Sequence, residues 1–257
     1  MTSESFDSSR LIDKIVLMNN TLFLLAAVFL AVFTQSVSGF GVALVAMSLL
    51  PAIVGIHTAT PLVALIAIVL ELFLFLRYRS AFNFQAIWRI TLASLIGIPI
   101  GLYAFKQVNP EIIVTLLGII LVAYAVYGLI QLKLPEFKHP YWAYLMGFIA
   151  GIIGGAYNTS GPPVIIYGNC RRWLPNEFKG NLQGYFLVTT VVIILGHLIS
   201  GNLTIDVWKY FLGAAPAIIL GVIAGVSLDK VINPELFRKI VLVLLLIMGV
   251  NLVIGQL

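Results

Sequence analysis

Two polar strings interrupt otherwise apolar stretches of the chain, and they hold the side chains best suited to binding a ligand. One string covers residues 34–41 and the other covers residues 157–163. The candidate binding residues, chosen for their hydroxyl, amide or open backbone N–H groups, are Gln35, Ser36, Ser38, Gly39, Gly41, Asn158, Thr159, Ser160 and Gly161. A segment that inserts into lipid does not carry such groups at mid-membrane without a use for them.

The chemistry that these strings predict is the binding of a small anion at helix starts. Ser160 followed by Gly161 and Pro162 is typical of a helix N-terminus, with serine as the N-cap and proline where a missing N–H costs nothing. In the other string, the glycines after Ser38 leave backbone N–H groups open to a ligand. A helix N-terminus carries about half a positive charge, so two of them together suit a monoanion. Each string also ends an entering helix, whose carbonyl groups have the opposite polarity, and the sequence does not say which ends face the ligand.

Four further candidates lie outside the strings. Asn181 and Gln183 begin a later hydrophobic segment, where they either line an access path or join two helices by a hydrogen bond. Glu71 and His197 are ionisable residues inside hydrophobic segments, and they are therefore candidates for proton coupling. Both are close to a predicted membrane face, and Glu71, six residues before Arg77, is placed where snorkelling would bring it to water. No Lys or Arg is predicted at mid-membrane, so we expect a weakly held anion bound by neutral groups.

The composition is that of a membrane protein. Apolar residues make up 61% of the 257-residue chain and charged residues 10%, and hydrophobic stretches follow one another from Thr21 onward. A soluble chain of this composition would aggregate. The formal net charge of +5 does not indicate nucleic acid, because the basic residues stand singly or in pairs between apolar segments. We therefore expect an all-α, multi-pass integral protein of the plasma membrane whose partners are the lipid bilayer and a small anion, with no nucleic acid, cofactor or metal.

The chain is also an internal duplication. Six residues recur after a constant shift of 124 positions, as Gly97, Gly101, Lys106, Asn109, Pro110 and Glu111 and again as Gly221, Gly225, Lys230, Asn233, Pro234 and Glu235. We divide the chain into an N-terminal polar or interfacial segment (1–20), a first repeat (21–132), a linker (133–140) and a second repeat (141–257), which together form one transport domain. Duplicated membrane proteins with broken hydrophobic segments are most often transporters.

The two repeats hold eight hydrophobic segments, of which the first in each repeat contains a polar string. The segments cover residues 21–50, 57–76, 86–105, 111–131, 141–174, 180–200, 207–228 and 235–255. If all eight cross the membrane, the 15 basic residues divide 8 to 7 between the two faces. If each first segment is instead a re-entrant or broken hairpin, three crossings remain per repeat and the second repeat is inverted.

In the inverted arrangement the basic residues divide 11 to 4. One face then carries Arg77, Arg79, Arg89, Lys133, Lys138, Arg171, Arg172, Lys179, Lys230, Arg238 and Lys239, and the other carries Arg10, Lys14, Lys106 and Lys209. The positive-inside rule favours this arrangement, with the basic face cytoplasmic and both termini outside. Eight simple transmembrane helices are the alternative.

Lengths and small residues indicate how the segments pack. The 11 residues from Phe40 to Leu50 form about 16 Å of helix, roughly half of the ~30 Å hydrocarbon core, so the hairpin tips are expected at the midplane, facing each other inside the bundle. Small residues at helical spacing let helix backbones approach closely, either within one chain or between the chains of a homo-oligomer. These ladders are Ala93, Gly97 and Gly101, then Gly147, Gly151, Gly154 and Gly155, and finally Ala217, Gly221 and Gly225.

The order of these motifs resembles the sulfite exporter TauE/SafE family of membrane permeases. The first repeat opens with the string from Ser38 to Gly41, and the glycine ladder of the second repeat leads into the string from Ser160 to Pro163. The resemblance covers the chain after Asn20. It implies a plasma-membrane carrier of prokaryotic type for sulfite, sulfonates or related small organic anions, driven by proton or ion gradients.

The sequence therefore predicts a secondary transporter that moves sulfite, a sulfonate or a related organosulfur anion by alternating access. A channel for anions or small solutes is one alternative, because pores are also built from paired half-helices. An intramembrane serine protease is another, since Ser160 or Ser38 with His197 resembles a catalytic pair. However, Asn158 and Ser36 stand where a rhomboid-type Gly-x-Ser-Gly motif has glycine, and a catalytic pair gives no reason for polar strings in both repeats. We expect no enzyme activity.

Overall fold

The computed structural model of the chain describes residues 8–130, 134–229 and 231–255, with the backbone alone for residues 8–20 and 234. Within these ranges the secondary structure is helical, without a strand. A short 3₁₀ turn, Arg79–Ala81, follows the third α-helix. The α-helices are α1 (Ser8–Ser38), α2 (Val42–Val54), α3 (Ile56–Tyr78), α4 (Phe84–Gln107), α5 (Pro110–Ile130), α6 (Tyr141–Tyr157), α7 (Gly161–Cys170), α8 (Pro175–Ile199), α9 (Ile205–Leu228) and α10 (Pro234–Ile254).

Seven of the described helices are long and apolar enough to cross a membrane, which confirms an all-α integral membrane protein. They are α1, from Thr21 onward, together with α3, α4, α5, α8, α9 and α10. The N-terminal segment is helical from Ser8 and continues into the first span without a break. Residues 1–7, Lys133 and Lys230 lie outside the described residues.

The first hydrophobic segment of each repeat is divided into two helices, as the polar strings predict. The break between α6 and α7 covers residues 158–160, inside the second string. In the first string only residues 39–41 are non-helical. Gly39 and Gly41 adopt φ angles of +84° and +113°, which favour glycine and end the helix, whereas the preceding polar residues remain helical. The expected end at Leu50 is wrong, since α2 continues through Pro51 to Val54.

Each pair of helices forms a hairpin whose two ends lie together. At the end of α7, the carbonyl oxygen of Cys170 accepts a hydrogen bond from the backbone N–H of Phe137 at 3.0 Å, and the Arg171 guanidinium donates to the Phe137 carbonyl at 2.8 Å. Phe137 precedes α6, so α7 returns to the place where α6 began. In the first repeat, Thr21 of α1 and Val54 at the end of α2 line the same cavity. The hairpins α1–α2 and α6–α7 are therefore re-entrant in shape.

The first arm of the first hairpin is longer than the polar string predicts, because α1 stays helical through Ser38. From Thr21 to Ser38, α1 has 18 residues, which is about 27 Å of helix against a ~30 Å hydrocarbon core. At its end, the Lys179 ammonium donates to the Val37 carbonyl oxygen at 3.3 Å. The placement of this tip at the membrane midplane stays a prediction.

Two pairs of helices that correspond by the 124-residue shift contact each other in antiparallel orientation. In the pair α5–α10, Gly118 lies against Gly249 and Gly128 lies against Leu242. In the pair α3–α8, the Lys179 ammonium donates to the Tyr78 hydroxyl at 3.4 Å, while Thr190, further along α8, bonds to Glu71, which is earlier in α3. Antiparallel crossing of equivalent helices is the arrangement that an inverted repeat requires.

The small-residue ladders pack the two repeats together within the chain. The ladder of α4 lies on the glycines of α6, so that a Cβ added at Gly97, Gly151 or Gly155 would collide with a backbone carbonyl oxygen of the facing helix. The ladder of α9 lies on α1, where a Cβ at Gly225 would meet Ser36 and the Phe33 carbonyl. Both contacts follow the packing of membrane helices through small residues. The ladders therefore give no reason to expect contacts between chains.

We expect Gly151→Ala to lower the melting temperature of the purified protein, because the new methyl group would meet backbone atoms of Ser94, which have no room to move. Overpacking of this kind typically costs about 1–3 kcal/mol. The matched control is Gly213→Ala in α9, where an added Cβ meets nothing within 4 Å. Equal melting temperatures for the two variants would contradict the close packing of α4 on α6.

Candidate substrate site between the hairpin tips

The two hairpin tips meet at a cavity inside the helix bundle. Its volume is about 20 Å³, which is room for about one water molecule. Glu71 of α3 and Thr190 and Phe186 of α8 complete its wall. The structure brings six of the predicted binding residues to this cavity, namely Gln35, Gly41, Asn158, Thr159, Ser160 and Gly161.

The helices α2 and α7 both begin at this cavity. The backbone N–H of Val42, the first residue of α2, donates to the side-chain oxygen of Gln35 at 3.0 Å, so Gln35 caps this helix from α1. Ser160 occupies the N-cap position of α7, but its side chain makes no capping hydrogen bond. The predicted role of the Ser160 hydroxyl as a cap is wrong, because the residue has helical φ and ψ angles of −64° and −10°.

Two buried polar atoms on residues that line the cavity have no hydrogen-bond partner in the part of the chain that the structure describes. They are Oε2 of Glu71 and Oγ1 of Thr159. The other carboxylate oxygen of Glu71 accepts a hydrogen bond from Thr190 at 3.2 Å. Buried polar groups are nearly always paired, so unpaired ones beside a polar cavity indicate a water molecule or ligand there.

The position of Glu71 corrects the sequence-based interpretation. Its side chain is 4% exposed and lines the cavity, so it does not snorkel toward the membrane face. The sequence shows only the distance of Glu71 from Arg77 along one helix, whereas the fold brings Gln35 and Gly41 of the first hairpin tip to the cavity that Glu71 lines.

Three predicted binding residues of the first tip do not line the cavity. The Ser36 hydroxyl donates to the Val32 carbonyl at 2.8 Å, and the Ser38 hydroxyl donates to the Thr34 carbonyl at 2.7 Å. Gly39 lies on the opposite side of the tip, against the side chain of Lys179. These hydroxyl groups are occupied by their own helix, as is common for serine in membrane helices.

Asn181 and Gln183 join helices rather than line the cavity. The Asn181 side-chain oxygen accepts from the Asn83 backbone N–H at 2.8 Å, which holds α8 to the start of α4. Gln183 donates to the Gly39 carbonyl at 2.5 Å and accepts from the Gln35 amide at 3.4 Å. Gln183 thus fixes the first tip to α8, and Gln35 links this contact to the start of α2.

The sequence profile of the family described as Sulfite exporter TauE/SafE matches residues 24–252 of the chain. The chain belongs to this family. A curated relative, the "Probable sulfite/organosulfonate exporter TauE" of Cupriavidus necator, is 25% identical over 232 residues, which is 86% of this chain and 88% of the relative. No solved structure matches the chain.

Membership of the TauE/SafE family confirms that the chain is a multi-pass membrane transporter and not an enzyme. The family and the relative are both described as exporters. Ser160 lines the cavity between the tips, and His197 does not. The ring of His197 instead lies 5.7 Å from that of Phe105, which lies 4.9 Å from that of His57.

The two proton-coupling candidates of this TauE/SafE chain are thus in different places. His197 is fully buried, and one ring nitrogen lies 3.0 Å from the Asn202 amide. It does not line the cavity between the tips, whereas Glu71 does. Glu71 is therefore the candidate that a substrate in this cavity would meet.

Three polar residues that support the site of the TauE/SafE chain were not predicted from the sequence. Thr190 bonds to Glu71, and the Tyr185 hydroxyl lies 2.7 Å from the Ser94 hydroxyl and beside Ser160. A signal existed for Thr190, because Thr189 and Thr190 form a polar pair in the middle of an apolar helix. Tyr185 and Ser94 gave none, since single residues of these types are common in membrane helices.

Proposed function

We propose that this chain moves sulfite or a short organosulfonate across the plasma membrane as a secondary transporter, with the cavity between the hairpin tips as its central binding site. The observation that carries the proposal is the convergence of both tips on unpartnered polar atoms of Glu71 and Thr159, among the residues that the structure describes. The substrate class is that named for the curated relative. The proposal also explains why both repeats contain a hairpin, because each repeat supplies one half of the site.

The second repeat is inverted relative to the first, with its basic face in the cytoplasm. The antiparallel contacts of α5 with α10 and of α3 with α8 support this orientation. Basic side chains also gather at one end of the molecule, where they surround two cavities that share Arg238. These residues are Arg172, Lys179, Arg238 and Lys239. Lys209 lies at the opposite end, beside Thr21.

Transport requires the tips to separate. A sulfite ion is larger than a water molecule, so the cavity of about 20 Å³ must widen to hold it. The first tip is fixed by Gln183 and Lys179, and both contacts join one repeat to the other. Rocking of the repeats would break these contacts and open the cavity toward the basic face, as in alternating access.

The substrate is held by neutral groups and the start of α7 rather than by a cation. Among the described residues, no Lys or Arg lines the cavity, whose polar groups come from Gln35, Asn158, Thr159 and Ser160 together with Glu71. An ionised Glu71 would repel an anion, whereas a protonated Glu71 can donate a hydrogen bond to it. Anion and proton therefore enter together, and Glu71 is the residue that couples transport to a proton gradient.

Thr159→Val tests this site. The change keeps the shape of the side chain and removes the unpaired hydroxyl, so we expect uptake of radiolabelled sulfite into proteoliposomes to fall about tenfold, as for the loss of one hydrogen bond to a charged ligand. The matched control is Thr60→Val, which removes a buried hydroxyl that bonds within α3, to the Ile56 carbonyl. Equal loss in both variants, or none in Thr159→Val, would refute the central site.

Counterflow distinguishes a transporter from a channel. Proteoliposomes loaded with unlabelled sulfite should accumulate external labelled sulfite transiently and with saturable kinetics, because a carrier that can return with bound sulfite exchanges labelled for unlabelled ions. Sulfite currents without saturation or counterflow would instead identify the channel.

A further inference from the structure

A second cavity lies at the basic face, on the other side of the first hairpin tip from the central cavity. Its volume is about 340 Å³, within the usual range for small-ligand sites. We propose that it is a loading site for organosulfonates, in which Arg238 and Lys179 bind the sulfonate group and an apolar wall accepts the carbon chain. The proposal rests on the proposed function and names the place where that substrate first binds.

Arg238 has a charge that is free for a ligand. It lines the cavity but makes no hydrogen bond or ion pair with any residue that the structure describes. A guanidinium presents several N–H donors in a plane, which suits the oxygen atoms of a sulfonate. The solvent-accessible position lets the anion enter without crossing the bundle.

Lys179 supplies the second charge, and its present partners show how an anion would change the tip. Its ammonium lies 3.1 Å from Oδ1 of Asp229 and also donates to the Val37 carbonyl of the first tip. Asp229 has a second cationic partner, Arg77, at 3.5 Å. A sulfonate beside Lys179 would compete with Asp229 and Val37 for the same donors, and it would thereby loosen the tip that separates this cavity from the central one.

Apart from the Asp229 carboxylate and the polar groups of Ser38, Asn176 and Tyr124, the remaining wall is apolar and favours an anion with an apolar body. Carbon-rich side chains from α1, the first tip and α10 line the cavity, namely Val37, Phe40, Phe237, Val241 and Leu242. Burial of apolar surface contributes roughly 25 cal/mol per Å², so each additional methylene group that reaches this wall should strengthen binding. Sulfite has no such group, and we expect it to bind here more weakly than an alkyl sulfonate.

The duplication provides an internal comparison, because the opposite face has no equivalent charges. The 124-residue shift relates Lys179 to Gly55 and Arg238 to Val114, both uncharged. The positions that correspond to Lys179 and Arg238 in the first repeat therefore lack this pair of cations. The transporter should therefore have a lower KM for sulfonates from the basic face than from the other face.

The test uses purified full-length protein and butanesulfonate, with methanesulfonate as the short-chain probe. By calorimetric titration, wild type should bind butanesulfonate more tightly than methanesulfonate, and Arg238→Gln should weaken binding of butanesulfonate about tenfold. Arg79→Gln is the matched control, since Arg79 is an exposed arginine of the same predicted face that does not line the cavity. Arg238→Gln breaks no hydrogen bond of the described structure, and an unchanged melting temperature would verify that it folds.

Transport measured separately from each side of the membrane distinguishes a failure of the loading site from a failure of the proposed function. In oriented proteoliposomes, Arg238→Gln should raise the KM for butanesulfonate from the basic face by more than it raises the KM for sulfite, whereas Arg79→Gln should leave both KM values unchanged. If wild type shows sulfite counterflow, two results would overturn the loading site alone. One is that wild type binds butanesulfonate no more tightly than methanesulfonate. The other is that wild type binds butanesulfonate no more tightly than Arg238→Gln does. Absence of counterflow with Arg238-dependent binding would instead refute the transport mechanism and support the loading site.

Discussion

Glu71→Gln should transport sulfite at least tenfold more slowly than wild type, and its rate should no longer respond to a pH difference across the membrane. The amide keeps the size of the side chain and its hydrogen bond with Thr190, but it cannot bind or release a proton. Because the Glu71 carboxyl lines the central cavity and has one oxygen unpaired within the described structure, it is the group whose charge a bound anion would experience most strongly. The measurement is sulfite flux in proteoliposomes with and without an imposed pH gradient.

The control for Glu71→Gln is Glu111→Gln, at the exposed start of α5. This variant should retain both the rate and the response to the gradient. A Glu71→Gln protein that still responds to pH like wild type would show that the proton does not travel with Glu71. In that case His197→Ala tests the other buried ionisable candidate, and an unchanged pH response in both variants would exclude proton coupling through either residue.

Gln35→Leu should abolish transport and lower the stability of the protein, because Gln35 holds the first hairpin tip together. Its oxygen accepts the Val42 N–H at the start of α2, and its amide donates to Gln183, which in turn binds the Gly39 carbonyl. Leucine would leave the buried Val42 N–H without a partner, which costs about 1–3 kcal/mol. The measurements are the melting temperature of the purified protein and sulfite uptake by proteoliposomes.

Gln35→Glu separates the two roles of the Gln35 side chain. A carboxylate still accepts from Val42 but has no amide to donate to Gln183, so we expect its stability to lie between those of wild type and Gln35→Leu. Gln85→Leu, at an exposed position at the start of α4, is the control for a change of glutamine to leucine. Wild-type transport by Gln35→Leu would show that the tip does not depend on this contact.

The breaks in the hairpins were predictable because lipid cannot satisfy the polar groups of a glycine-containing string, so such a string must be enclosed by protein at a break in the helix. The packing of the small-residue ladders was also predictable, because small side chains at four-residue spacing in a membrane helix mainly allow two helix backbones to approach closely. The exact break in the first repeat was not predictable, because polar residues such as Thr34 and Ser36 satisfy their hydroxyl groups inside the helix. Only the left-handed glycines decide where α1 ends.

The different roles of the polar residues within each tip could not be predicted from the sequence. Gln35, Ser36 and Ser38 belong to the same string, yet Gln35 lines the cavity and caps α2 while the two serines bond back to their own helix. Hydrogen-bond partners of this kind depend on how α8 crosses the tip, which no local pattern encodes. The role of Glu71 depends in the same way on a hairpin tip about thirty residues earlier in the chain, and not on its distance from Arg77.

The contact between Gly118 and Gly249 sets how closely α5 and α10 can approach each other. An added Cβ at either glycine would meet the carbonyl oxygen of the other, so a side chain at either position would force the two helices apart. Because α5 and α10 are the last helices of their repeats, a larger residue at one of these glycines would loosen one of the contacts that join the two repeats.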